Sequence, residues 1–173
     1  MTLAVPDAIP HSAYRTGAMA LVLASAAILG ALAFEHIGGY LPCPLCLEQR
    51  YAYYAGIPLL FLALVLLSGG PRRPAALLFL AVSLAFLANA GLGAYHAGAE
   101  WHFWPGPDTC AGAQDLTTSA GGLLESLPTT NVIRCDEAAY RFAGISLAGW
   151  NVIVSLLVAG LSLSAAVRSP RSQ

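Results

Sequence analysis

Lysine is absent from this chain. All eight basic residues are arginines, and against nine acidic residues they leave the 173-residue chain with a formal net charge of -1. No basic field exists to gather a polyanion, which excludes nucleic-acid binding. Charge of either sign is scarce, at 10% of residues where ordinary globular domains carry roughly a quarter. With 57% of residues apolar, the chain lacks the polar residues to cover a water-facing surface. Four cysteines are too few for a disulfide-dense mini-scaffold, although the even count allows two bridges in an oxidising compartment. Internal repeats, low-complexity tracts, nucleotide-binding glycine patterns and flavin or haem motifs are missing as well.

What the chain has instead is four apolar runs, 17–34, 51–67, 74–95 and 144–167, with polar or Pro/Gly-rich breaks between them. A helix rises about 1.5 Å per residue, so about 17 to 25 apolar residues cross the roughly 30 Å hydrocarbon core of a bilayer. None of the runs holds a charged residue away from its ends. Pro58 within the second is tolerated where neighbouring helices cover the freed backbone. Ala31-Leu32-Ala33 resembles a signal-peptidase site, but the run is longer than a signal h-region and only Arg15 precedes it. The sequence therefore predicts an all-α membrane protein, one domain forming a four-helix transmembrane bundle.

Arginine placement orients it. Arg15, Arg72, Arg73, Arg168 and Arg171 flank one side, while Arg50, Arg134 and Arg141 share the other with eight of the nine acidic residues. The positive-inside bias puts both termini in the cytoplasm and two loops, 35–49 and 96–143, outside. Every cysteine lies in those loops, on the side that in a bacterial cell is the oxidising periplasm. Leu116, Ala120, Leu123, Leu124 and Leu127 recur at helical spacing, predicting a short amphipathic interfacial helix in the second loop. Tyr51, Tyr53, Tyr54, Tyr95, Trp101, Trp104 and Trp150 read as an aromatic belt at the outer interface.

The chemistry concentrates at Cys43-Pro44-Leu45-Cys46. Prolines at 42 and 44 restrict the approach to the second helix, and a helix beginning near Cys46 lowers that thiol's pKa through its dipole. Arg50, four residues on, shares the face of Cys46. An arginine at the edge of a membrane helix needs an anionic or polar partner, so the two read as a redox-active thiolate beside a cation. Two dithiols on one face of a membrane bundle suggest a relay by thiol–disulfide exchange, whose final acceptor must reach the thiolate through the bilayer, as a quinone does.

Two other readings stay open. The C-x-x-C is also half of a zinc site, with Cys110, Cys135, His36, His96 or His102 completing it, although no second short-spaced ligand couple is visible and we assign no metal. A non-enzymatic membrane scaffold whose loops are stapled by structural disulfides also accommodates Cys110 and Cys135, but a C-x-x-C loop is too short to stabilise much.

These residues resemble the bacterial disulfide bond formation protein B (DsbB) family. Pro42-Cys43-Pro44-Leu45-Cys46 and Gln49-Arg50 open the second helix, Tyr95-His96 follows the third, and a cysteine pair spans the long loop. The resemblance implies an inner-membrane protein-disulfide oxidoreductase that reoxidises a periplasmic thioredoxin-like oxidase of the DsbA type and hands the electrons to ubiquinone or menaquinone. Cys110 would form the mixed disulfide with the partner, Cys135 would pass the exchange to Cys43, and Cys46 would be released as the thiolate facing quinone. Arg50 would hold the quinone, and His96 would hydrogen-bond a quinone carbonyl. Some members carry an acidic residue just before the arginine where this chain has Gln49, to which no role is assigned. Vitamin K epoxide reductase-like proteins also couple cysteines to quinones, but their quinone-facing C-x-x-C lies toward the last helix rather than before the second.

Overall fold

A computed structural model describes residues 11–106 and 135–170. Four helices make up the frame: α1 (His11–His36), α2 (Pro44–Gly69), α3 (Arg72–Glu100) and α4 (Leu147–Arg168). All four are long and apolar enough to cross a membrane, with mean hydropathy of 1.9 to 2.2 over their most apolar stretches. The interfacial helix expected around 116–127 lies outside the described residues.

The helices do not end where the apolar runs end. Backbone hydrogen bonding continues through polar residues, so α1 takes in Glu35, α2 starts seven residues ahead of Tyr51, and α3 runs on to Glu100. The start of α2 is fixed by Cys43, whose extended backbone (φ -75°, ψ 164°) lets its Sγ accept a hydrogen bond of 3.2 Å from Cys46 N, with Pro44 in the first helical turn. Gly70, at φ 105°, ends α2 in a left-handed cap that a side chain would strain. At the other end of the bundle, Arg141–Phe142 (β1) and Ile145–Ser146 (β2) pair antiparallel around Ala143 and Gly144, both at positive φ. Ser146 then caps α4, its hydroxyl accepting 3.2 Å from Gly149 N.

Packing runs α1 to α2, α2 to α3, α3 to α4 and α4 back to α1, a ring of four helices. Its interior is filled by Leu60, Leu67, Phe79, Val82, Phe86 and Val158, all essentially inaccessible. Small residues let the helices approach closely: Ala13, Gly17, Ala20 and Ala24 on α1, and Ala159, Ala165 and Ala166 on α4. The perimeter carries large apolar side chains such as Val22, Leu29, Leu77 and Leu84, more than half exposed, as lipid contact demands and water does not. The C-termini of α1 and α3 and the N-termini of α2 and α4 converge at one end of the ring, where every polar cluster described below lies.

Candidate functional site

Cys43 and Cys46 are free thiols at the N-terminus of α2, with their sulfurs 2.9 Å apart and Cys43 donating its S–H to Cys46. The Cys46 sulfur and burial push the Cys43 thiol far above the ordinary cysteine range, so Cys43 holds the proton. Behind the pair stands His96, 2% exposed, with Nε2 3.6 Å from Cys43 Sγ. Cys135 is disulfide-bonded and buried. Its sulfur, Cys43 Sγ and a His96 ring nitrogen all lie within 4.8 Å of one another. Two chain segments that the sequence places 92 residues apart are thus in range for sulfur exchange. Cys110 lies outside the described residues.

A chain of hydrogen bonds fixes the His96 ring. Tyr53 hydroxyl donates to Asn151 Oδ1 at 2.6 Å, Asn151 Nδ2 donates to Gln49 Oε1 at 2.6 Å, and Gln49 Nε2 donates to His96 Nδ1 at 2.9 Å. With Nδ1 accepting, the neutral ring carries its proton on Nε2, facing Cys43. Asn89 and Ser155 extend the chain between α3 and α4, Asn89 Nδ2 donating to Ser155 Oγ at 2.9 Å. One turn beyond His96, Glu100 is buried with Oε1 3.8 Å from His96 Nε2 and Oε2 without a partner.

Arg50 lies on the opposite side of the thiol pair. Its Nη1 donates to the Glu35 carboxylate at the end of α1, and neither side chain is more than one quarter exposed. Cys46 and Arg50 both line an open cleft of about 270 Å³ between α1, α2 and α4. Its walls are mostly apolar, including Ala27, Phe34, Leu41 and Val154, with the amides of Gln49 and Asn151 and the amphipathic rings of Tyr40, Tyr53 and Trp150 among the rest. Phe34 and Tyr40, both on its wall, pack ring to ring with each other and with Tyr140 at 5.5 to 6.1 Å. The cleft thus sets the Arg50 guanidinium, a pure hydrogen-bond donor, in a mostly apolar wall beside the Cys46 sulfur.

A family model, disulfide bond formation protein DsbB, matches residues 14–165. The chain belongs to the DsbB family. The disulfide bond formation protein B of Albidiferax ferrireducens is 31% identical over 154 residues, which span 81% of this chain and 82% of that protein. Those of Herminiimonas arsenicoxydans and Aromatoleum aromaticum are 31% and 32% identical over 86% and 82% of this chain, and 92% and 85% of their own. No solved structure matches. The four helices and the family together make this a multi-pass membrane protein of disulfide bond formation.

Of the residues singled out in the sequence, Cys43, Cys46, Arg50, His96 and Cys135 meet at one end of this DsbB-family bundle. His96 does not line the cleft that Arg50 and Cys46 share; it faces Cys43 from α3. The aromatic belt divides: Tyr51 and Tyr54 are half or more exposed, whereas Tyr53 is buried in the hydrogen-bond chain. Trp150 Nε1 donates to Phe142 O, and Trp104 Nε1 donates to Tyr95 O, each at 3.0 Å. The sequence names Gln49 beside Arg50 without giving it a role, and it gives none to Glu35, Glu100 and Asn151. The one available signal was spacing, since His96 and Glu100 stand four apart.

Proposed function

We propose that this chain is a quinone-dependent protein thiol oxidase in the bacterial inner membrane. It reoxidises a DsbA-type thioredoxin-like oxidase at its periplasmic face. The observation that carries this reading is Cys43, with one neighbouring sulfur, Cys46, on the wall of an apolar cleft and the other, Cys135, within 4.8 Å in a disulfide.

In the reaction, a thiolate of the partner's dithiol attacks Cys110 of the Cys110–Cys135 bridge and frees Cys135. Cys135 attacks Cys43 of the Cys43–Cys46 disulfide, and Cys46 leaves as a thiolate at the cleft. The second partner thiol then resolves the mixed disulfide, returning the partner oxidised. The Cys43–Cys135 bond passes back to Cys110–Cys135, which leaves the C-x-x-C as a dithiol. Cys43 and Cys46 close their disulfide again by giving up two electrons and two protons, for which a membrane quinone, ubiquinone or menaquinone, would be the acceptor. Arg50 would hold the quinone oxygen on which charge develops, and Glu35 holds Arg50. The His96 Nε2–H stabilises charge on the Cys43 sulfur during exchange; on this geometry it serves the sulfur more directly than it serves a quinone carbonyl.

The scaffold alternative predicts bridges that never exchange. A Cys46→Ser, Cys110→Ser double variant leaves only Cys43 and Cys135 to pair. After mild oxidation, peptide mass spectrometry should find them bonded in the folded protein. Two persistent free thiols in that variant remove the relay.

A further inference from the structure

His96 has both ring nitrogens engaged, Nδ1 toward Gln49 and Nε2 toward Cys43 and Glu100. A neutral ring has two places for its one proton, and here the choice is made from both ends. Cys43 donates its own S–H to Cys46, 2.9 Å away, so its sulfur can only accept from the ring. Glu100, with Oε1 3.8 Å from Nε2, calls for a proton at the same nitrogen. At the far end, the Tyr53 hydroxyl and Asn89 Nδ2 both donate to Asn151 Oδ1. Asn151 therefore turns its Nδ2 to Gln49 Oε1, and Gln49 is left with its Nε2 toward Nδ1. An amide N–H aimed at Nδ1 occupies that lone pair and leaves no place for a second proton.

A second proton would matter because of where it puts charge. The groups facing the ring are Cys43, Cys135 in its disulfide and, one turn along α3, Glu100, on which Ser146 and the charge of Arg141 also act. From α4 comes the neutral Asn151, through Gln49. A carboxylate beside an imidazole favours the doubly protonated ring, and Glu100 is such a neighbour. An imidazolium 3.6 Å from Cys43 Sγ would draw the negative charge of the dithiol onto buried Cys43 and away from Cys46, which lines the cleft.

We infer that Gln49 is a positioning residue, held by Asn151, that keeps His96 neutral and so keeps the charge of the reduced dithiol on Cys46 at the cleft rather than on Cys43. The isosteric Gln49→Glu replacement reverses this. A carboxylate accepts and cannot donate, so Nδ1 takes up a proton to meet it, and the ring becomes an imidazolium between two carboxylates. The remaining thiol proton then moves from Cys43 to Cys46, and Cys43 stands as the thiolate beside the ring. Only protons move, one from solvent to the ring and one between the sulfurs, and no oxidation state changes. The inference rests on the proposed function only in taking Cys43 and Cys46 as the reactive dithiol.

The test uses the full-length reduced protein in detergent with isotopically labelled histidine, at about pH 6 and about pH 8. The His96 signals are those missing from His96→Gln, and the ring nitrogen shifts in NMR show which nitrogen carries a proton. In wild type we expect Nδ1 bare and Nε2 protonated at both pH values, and in Gln49→Glu we expect Nδ1 protonated as well. In parallel, iodoacetamide and peptide mass spectrometry give the ratio of Cys46 to Cys43 modification, which should fall by about tenfold or more from wild type to Gln49→Glu. In a His96→Gln background the same substitution should move the ratio far less, since the new carboxylate has no ring to protonate. A second proton on wild-type His96 at the lower pH, a bare Nδ1 in Gln49→Glu, or an equal fall without the histidine would each overturn the inference, and the first of these needs no variant. Neither quinone nor partner enters the measurement. The expected ring state without quinone turnover sinks only the proposed function, and turnover with a doubly protonated wild-type ring sinks only this inference.

Discussion

Gln49 Oε1 accepts a 2.6 Å hydrogen bond from Asn151 Nδ2, joining α2 to α4 through two amides 102 residues apart in the chain. Each of the two amides has a second partner, His96 for Gln49 and the Tyr53 hydroxyl for Asn151. In a bundle whose interior is otherwise mostly apolar, this bond helps set how α2 and α4 are rotated against each other and, through His96, where α3 meets the thiols.

Replacing Asn151 with Leu leaves the Gln49 carbonyl and the Tyr53 hydroxyl buried without partners. Each such group costs about 1 to 3 kcal/mol. The thermal midpoint of Asn151→Leu in detergent should fall clearly below wild type, and Gln49→Leu should behave alike. Unchanged midpoints in both would mean that the chain of amides is not what fixes the bundle.

A second prediction concerns Gly56, where an added Cβ would lie 2.6 Å from Phe86 Cε2. Phe86 is wholly buried and packs edge-on against Tyr53 at 5.0 Å, so it cannot yield without disturbing the Tyr53–Asn151 bond. Gly56→Val should therefore cost about 1 to 3 kcal/mol. At Gly160 nothing lies within 4 Å of the same atom, and Gly160→Ala should stabilise α4 by up to about 1 kcal/mol. Unfolding curves that rank the two variants the other way would contradict the packing.

Composition and the four apolar runs made the bundle legible, because a membrane helix declares itself by length and apolarity alone. Cys43, Cys46 and Arg50 were legible because their relation is local, three or four residues along one helix. Asn151, Gln49 and Tyr53 were not: a lone polar residue in an apolar run gives no hint of a partner on another helix, and Tyr53 looks in sequence like Tyr51 and Tyr54. Glu100 was hidden among the acidic residues of a presumed loop, since nothing in the apolar pattern announces that α3 runs on past Tyr95.

Burial and the Cys46 sulfur hold the Cys43 proton more tightly in the folded protein than in the unfolded chain. That contributes stability which is fully present below the unfolded cysteine pKa, about 8.5, and falls as pH rises beyond it. The midpoint of the reduced protein should decline above about pH 8.5, and more steeply in wild type than in Cys43→Ala. Over the same range iodoacetamide should modify Cys46, on the cleft wall, ahead of the buried Cys43. Parallel pH profiles in the two proteins, or Cys43 alkylated first, would contradict this proton placement.

Arg50 and Glu35 form a pair at the cleft, and each leaves its mark on quinone use. Arg50→Ala should raise the quinone KM by about tenfold or more, equivalent to about 1.4 kcal/mol. Arg50→Lys should restore part of it, keeping the charge but not the planar fork. Glu35→Gln should weaken quinone use less than Arg50→Ala does, because the guanidinium remains. A KM unmoved in Arg50→Ala would take the quinone out of this cleft.

The central claim is that electrons leave the protein through the Cys46 sulfur. The direct measurement is quinone absorbance over time with detergent-purified protein, a reduced DsbA-type oxidase and a short-chain quinone, comparing wild type with Cys46→Ser. Turnover in wild type that vanishes in a folded Cys46→Ser variant is the predicted result. Equal turnover in the two proteins would contradict the account.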